Sequence, residues 1–288
     1  MEVCVVSGKG GTGRTTVSVG LAVALGDLSA PNPIELIDCD VEAPNDHLYL
    51  RCADAGEEPV LVPVPFWAPE GCTACGACAR ACEFSGLTLL GDRVEVFPER
   101  CHSCGACTAA CPTGALTEGV RRVGVVRSAS SPGVALRWGE LDAGATRAAP
   151  VIQAARHGRR PGSQRVLDGP PGSSCSLVAA ARGADMALLV TEPTPFGLHD
   201  LELAWRAVTL LGVPSAVVLN KAQRREGRIH SFCRARGVPI LLEIPLDRDL
   251  AQAGARGVPL PVADPAYGPV LRGLWSCLET VFAPRRAV

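Results

Sequence analysis

The chain has almost no lysine. Of 28 lysines and arginines among its 288 residues, only Lys9 and Lys221 are lysine. It also lacks any excess of positive charge, with a formal net charge of −1, which argues against nucleic acid as a bulk electrostatic partner. No apolar run reaches the ~18 residues of a membrane helix. No leader resembling a secretory signal precedes the first apolar strand pattern, so the expected compartment is the cytoplasm, with no stable membrane anchor. In that reducing setting the fourteen cysteines read as metal ligands before disulfides.

One of the two lysines sits in the most informative stretch. The apolar run Val3-Cys4-Val5-Val6 leads into Ser7-Gly8-Lys9-Gly10-Gly11-Thr12-Gly13-Arg14-Thr15-Thr16, and a helical pattern follows at Val17, Leu21, Ala24, Leu25 and Leu28. Strand, glycine-rich loop and helix is the context of a phosphate-binding P-loop. Glycines let successive N–H groups face one cavity, and the helix dipole adds to the pull on an anion. Residues Gly8 to Thr16 are therefore the candidate nucleotide-phosphate loop, with Thr15 placed to put its hydroxyl on Mg²⁺. Arg14 stands where such loops carry lysine, and a broad planar fork does not replace a compact ammonium.

The second strong signal is an internal repeat. Cys72-x2-Cys75-x2-Cys78-x3-Cys82 is followed by Cys101-x2-Cys104-x2-Cys107-x3-Cys111-Pro112. Each half has bacterial ferredoxin spacing, in which the fourth cysteine serves the other cluster. Two [4Fe–4S] clusters are expected, one on Cys72, Cys75, Cys78 and Cys111, the other on Cys101, Cys104, Cys107 and Cys82. A third close cysteine and the Cys111-Pro112 pair favour a cubane over a four-cysteine zinc site. Glu83 departs from the pattern, where proline often follows. A hairpin, Leu87–Leu90 and Arg93–Phe97, is expected between the two halves.

Lys9 within Lys-Gly-Gly-x-Gly resembles the deviant Walker A motif of the MinD/ParA-type P-loop ATPases, a group that includes nitrogenase iron protein, and the resemblance extends along the chain. Asp38-Cys39-Asp40-Val41-Glu42-Ala43-Pro44-Asn45 is similar to the family's switch I. Val166 to Gly172 is similar to its Walker B and switch II, and Thr191 to Asp200 to a helix-opening segment of one branch. By resemblance, Lys9 reaches across a dimer to the partner's nucleotide and Asp40 orients the attacking water. Asp38 and Asp168 support the Mg²⁺ shell, Asn220 contacts adenine, and the loop after Pro245 covers the base. Asn45 and His47 are weaker candidates. Cys175, a spare thiol near the site, reads as a small buried residue before a cluster-holding or switch-sensing one, and Cys4, Cys39, Cys52, Cys233 and Cys277 read the same way.

The expected fold is a doubly wound, mostly parallel α/β P-loop NTPase with an inserted small α+β ferredoxin-like domain at 65–118, the nucleotide domain comprising 1–64 and 119–288. The expected cofactors are ATP/ADP, Mg²⁺ and two [4Fe–4S] clusters. The expected partners are a second copy or a related subunit, and a redox or metallocluster protein. Nucleotide-gated electron transfer is the leading activity. A cluster carrier or assembly ATPase, and a positioning ATPase with a redox-sensing insert, are the alternatives. The basic loop Gly158–Gly162 and the tail Ala283–Val288 read as a solvated loop and as a tail too short for a membrane-binding helix.

Overall fold

The computed structural model describes residues 1–26, 34–52, 56–158, 163–223 and 227–282. Leu28, residues 159–162 of the basic loop and the tail 283–288 lie outside the described residues.

The chain runs β1 (Glu2–Ser7), α1 (Arg14–Gly26), β2 (Ile34–Asp38), α2 (Asp46–Tyr49), β3 (Gly56–Trp67), α3 (Ala77–Arg80), β4 (Leu87–Leu90), β5 (Arg93–Val96) and α4 (Ala106–Ala109). It continues through β6 (Leu116–Ser131), β7 (Val134–Leu141), α5 (Ala148–Arg156), β8 (Arg165–Pro171), α6 (Cys175–Ala181), β9 (Met186–Thr191) and α7 (Pro195–Leu210). The last part holds β10 (Ser215–Ala222), α8 (Arg228–Arg236), β11 (Ile240–Pro245), α9 (Arg248–Ala255), α10 (Leu260–Ala263) and α11 (Tyr267–Phe282). Among the described residues no helix is long and apolar enough to cross a membrane.

A nine-stranded sheet has the order β11-β10-β9-β1-β8-β2-β7-β6-β3. Every neighbouring pair from β11 to β7 is parallel, and β6 and β3 add an antiparallel edge. The central strands are apolar on both faces because helices cover both. Val3 and Val5 of β1 pack with α1 and α11, whereas Cys4 and Val6 face the core shared with α5, α6 and α7. That period-two division is what a strand's alternating side chains impose. Cys4 on this strand, Cys39 just after β2 and Cys233 on α8 are buried as expected. Cys175 departs from that expectation: it opens α6 and is exposed, because it sits at the solvent end of the helix and not on its core face.

The carboxyl ends of three strands gather the chemistry. Asp38 of β2 lies directly beside Asp168 of β8, and Ser7 of β1 lies beside Pro171. Loops leaving these ends point into one crevice, where open parallel sheets hold their ligands.

The edge is built differently. β3 carries Pro59, Pro63 and Pro65, which an edge strand accommodates on its unpaired side. It pairs with β6 from Gly56↔Ser128 to Trp67↔Leu116, so the ladder runs past the expected boundaries at 65 and 118. The outer part of β6 pairs with β3 alone, forming a ribbon that carries the cysteine segment away from the sheet. That segment has its own small core, in which Cys78, Leu87, Val94, Cys107 and Leu116 are buried. β4 and β5 form a separate two-stranded sheet within it. The repeat in sequence is also a repeat in backbone. Ala74 and Ser103 have φ of 52° and 56°, and Gly76 and Gly105 have φ of 70° and 73°. Left-handed residues on either side of Cys75 and Cys104 turn the chain tightly enough for close cysteines to face one point.

Candidate functional site

The glycine loop is shaped by contacts a side chain would break. A Cβ on Gly8 would sit 2.1 Å from the Asp200 carbonyl oxygen. Gly13 has φ of +97°, and a Cβ there would meet Asn220 Nδ2 at 2.1 Å. Asn220 Nδ2 donates to the Thr12 carbonyl at 2.8 Å, so Asn220 closes directly on the loop. Beside it opens a cleft of about 500 Å³, lined by Gly11, Gly13, Thr16, Asn220, Pro245 and Leu250 among others. The structure thus brings the expected base-side residues Asn220 and Pro245 to the phosphate-side loop. Gly13→Ala should abolish nucleotide binding, because both its backbone conformation and its space are denied. A fluorescent ATP analogue would measure this, and wild-type affinity in the variant would contradict the loop's assignment.

Both lysines of the chain converge on one carboxylate. Lys9 Nζ donates to Glu192 Oε1, and Lys221 Nζ donates to Glu192 Oε2 at 2.9 Å and to the Gly11 carbonyl at 3.0 Å. Burial disfavours the Glu192 charge, but hydrogen bonds and charge from the two lysines outweigh it and hold the carboxyl below its ordinary range. Lys9, expected to reach a partner subunit, is therefore engaged within its own chain here.

Arg14 is also turned away from the loop's mouth. It is only 8% exposed, and its guanidinium donates to the Gly169 carbonyl and, at 3.2 Å, to Asp40 Oδ2. One side chain thereby joins the strand end after Asp38 to the strand end after Asp168. Burial pushes the Asp40 carboxyl up, and Arg14 only partly opposes this.

Below the loop, Thr15 Oγ1 donates to Asp168 Oδ2 at 2.8 Å, with Asn45 Oδ1 at 3.1 Å. Asp38 accepts from the backbone N–H groups of Asp40, Asn45 and Asp46 at 2.8–3.1 Å. Asp38 and Asp168 are raised above the ordinary carboxylate range. Burial is the main cause, and for Asp38 the charge of Asp168 adds to it. Thr15, Asp38 and Asp168, separated widely in sequence, lie together here. Asp46 joins them, which the sequence reading missed. It is completely buried, and its only signal was a further acid in a segment already rich in them. His47 stacks on Trp138 with ring centroids 5.1 Å apart, away from any acid–base partnership.

The eight repeat cysteines fall into two sets of four around separate small apolar cavities. One cavity is lined by Cys72, Cys75, Cys78 and Cys111 with Trp67 and Leu89, the other by Cys82, Cys101, Cys104 and Cys107 with Phe84 and His102. Each set takes three cysteines from one half of the repeat and one from the other. All eight are free thiols. The Gly86 N–H donates to Cys82 Sγ at 3.2 Å and the Ser103 N–H to Cys101 Sγ at 3.4 Å. Backbone N–H groups, led by those of Ala77 and Leu116, hold the Cys75 and Cys111 thiols below their ordinary range. Burial pushes Cys78 and Cys107 up. A donor set of four sulfurs with N–H groups aimed at sulfur suits an iron–sulfur cluster, whose potential such bonds tune.

A short segment links the two regions. The Leu141 N–H donates to the Val41 carbonyl at 2.8 Å, next to Asp40. A few residues on, Thr146 Oγ1 donates to the Glu99 carbonyl at 3.0 Å, and Arg147 Nη1 donates to the Cys101 carbonyl at 3.1 Å and to Ser103 Oγ at 3.2 Å.

The model of the CobQ/CobB/MinD/ParA nucleotide binding domain matches residues 3–260. A protein of Methanocaldococcus jannaschii described as uncharacterized is 31% identical over 223 residues, covering 77% of this chain and 78% of that protein. The iron-sulfur cluster carrier protein of the same organism is 21% identical, covering 91% of this chain and 78% of its own length. Among solved structures, the septum site-determining protein MinD of Pyrococcus horikoshii, complexed with Mg-ADP, superposes with a TM-score of 0.59 at 19% identity. That alignment covers 100% of this chain and 99% of that one. At this identity the likeness is one of fold.

Proposed function

The chain belongs to the family of CobQ/CobB/MinD/ParA nucleotide-binding domains, and we propose that it is an ATP-binding iron–sulfur protein whose nucleotide state governs electron transfer to a partner protein. The observation that carries this reading is the gathering of the eight cysteines into two crossed sets of four, on a ribbon leaving a P-loop sheet. Cys72, Cys75, Cys78 and Cys111 would hold one [4Fe–4S] cluster, and Cys82, Cys101, Cys104 and Cys107 the other, within a ferredoxin-like insert. When bound, such clusters supply one-electron transfer at potentials set by burial and hydrogen bonds.

The residues of the P-loop domain have separable tasks. The N–H groups of Gly8 to Thr16 bind the phosphates, and Asn220 and the Pro245 loop enclose the base. Thr15, Asp38 and Asp168 would hold Mg²⁺, which would supply charge to the phosphates, and Asp40 would orient the attacking water. For Lys9 to reach the nucleotide of a second subunit it must leave Glu192, so this ion pair opposes dimer formation until phosphate competes for the lysine. Movement of Asp40 and Val41 would be felt at Leu141 and, through the Thr146–Arg147 step, at the Cys101 loop.

Two other readings have specific support. The similarity to an iron-sulfur cluster carrier protein favours clusters as cargo, and the MinD-like fold favours a positioning ATPase with a redox-sensing insert. Incubation of the anaerobically purified protein with an apo-ferredoxin separates them. Electron transfer predicts that iron stays with this chain through repeated reduction and reoxidation while a redox acceptor is reduced. Rapid stoichiometric delivery of iron to the apo-protein would overturn it in favour of the carrier. Retained iron with no electron transfer to any acceptor, together with nucleotide-driven self-association, would favour positioning.

A further inference from the structure

Under the phosphate loop three carboxylates meet out of reach of solvent. Asp38 ends β2, Asp168 lies in β8 and Asp46 opens α2; their relative exposures are 0%, 1% and 0%. One oxygen of each lies within 4.8 Å of the other two. Their partners are few. Backbone N–H groups serve Asp38, and Thr15 Oγ1 serves Asp168 Oδ2. No N–H or hydroxyl donor reaches Asp168 Oδ1 or either oxygen of Asp46, and these two carboxyls can satisfy each other only by sharing a proton. The Arg14 charge favours ionised Asp168 and Asp46 from a distance, but its hydrogen bonds go to Asp40 and to the Gly169 carbonyl.

Orphan oxygens in a dry interior are costly, and three adjacent negative charges there are costlier still. A divalent cation removes both costs together. The available donors are carboxylate oxygens, which select hard ions such as Mg²⁺, Mn²⁺ and Ca²⁺ over the softer metals that thiolates prefer. We infer that Asp38, Asp46 and Asp168 form a preformed divalent-cation site that fills in the absence of nucleotide, with Asp46 as the ligand that makes phosphate unnecessary. The inference rests on the proposed magnesium position for two of its carboxylates and goes beyond it in the order of events: metal first, nucleotide second. Asp38 and Asp168 by themselves leave a cation dependent on phosphate oxygens. Asp46 adds a third charge and two free donor atoms from a short helix already anchored, since the Asp46 N–H donates to Asp38 Oδ2 at 3.1 Å.

The test uses the full-length, nucleotide-free protein and Mn²⁺ alone, with free Mn²⁺ followed by its electron paramagnetic resonance. The wild type should bind one Mn²⁺ per chain, and Asp46→Asn should bind it at least tenfold more weakly. Thermal unfolding supplies a second readout. Mn²⁺ should raise the melting temperature of the wild type but not of Asp46→Leu, and without metal Asp46→Leu should be at least as stable as the wild type, having lost its orphan oxygens. Equal Mn²⁺ affinity in wild type and Asp46→Asn would overturn the inference. So would a wild type that takes up Mn²⁺ only after ATP is added, while leaving the nucleotide reading intact. Failure of wild type and variants alike to bind a fluorescent ATP analogue would instead count against the nucleotide reading, with the Mn²⁺ titration still deciding the cation site.

Discussion

Cys82→Ala should remove about half of the iron, and the half it removes should be the one that Cys101→Ala removes, not the one that Cys78→Ala removes. Two cubanes give about eight iron and eight sulfide per chain in the wild type, falling to about four in each single variant. Cys82 stands four residues from Cys78 in sequence, yet its sulfur lines the cavity of Cys101, Cys104 and Cys107. Cys111 stands beside Cys107 in sequence and lines the cavity of Cys72, Cys75 and Cys78. Sequence proximity and spatial grouping therefore predict opposite pairings, which makes the experiment decisive. Iron and sulfide analysis gives the totals. Double variants give the grouping: Cys82→Ala with Cys101→Ala should keep about four iron, whereas Cys82→Ala with Cys78→Ala should keep almost none. The reverse pattern, or zinc in place of iron, would defeat the assignment. The insert's own stability should fall with each loss, because Cys78 and Cys107 are part of its only buried cluster among the described residues and metal-ligand energy is folding energy in such small units.

The second large effect is expected at Arg14. Its guanidinium spans the Gly169 carbonyl and Asp40, so the side chain that occupies the lysine position braces two strand-end loops. A lysine ammonium is a compact charge that cannot make the same fork, and it is free to follow charge onto a leaving phosphate. Interactions made only in the transition state are the ones that raise turnover. Losing one such donor costs on the order of 3 kcal/mol, or about a hundredfold. The wild type should accordingly bind Mg-ATP and hydrolyse it slowly, and Arg14→Lys should raise turnover at least about tenfold. Arg14→Gln should gain no activity and should be destabilised by about 1–3 kcal/mol, because it takes the charged donor from the half-buried Asp40 and from the buried contact to the Gly169 carbonyl. Wild-type turnover equal to that of Arg14→Lys, with no partner present, would mean that the arginine is a working substitute. If a related lysine-bearing subunit does the hydrolysis, Arg14→Lys should change little and Lys9→Ala should depress the partner's turnover.

Much of this protein is written in short stretches. The P-loop, the alternation of strand and helix, and the doubled cysteine spacing are local features, set by turn chemistry and by side-chain periodicity over a few residues. The sequence by itself therefore pointed to the α/β class, to the glycine loop and to the doubled cysteine repeat, and the family match and the parallel sheet agree with the first of these. It was silent on whatever depends on two distant segments meeting. Lys9 and Glu192 are 183 residues apart, and Arg14 and Gly169 are 155 apart. Nothing in either local pattern says that the loop's lysine is held by its own chain, or that its arginine points sideways to Asp40 and the Gly169 carbonyl. Asp46 makes the same point through burial. In sequence it is one more acid in a polar turn; only the docking of α2 beneath the loop removes it from water and aims it at Asp38 and Asp168. Burial takes an ordinary solvated carboxylate away from its water donors, and burial is a property of the packed sheet and helices together.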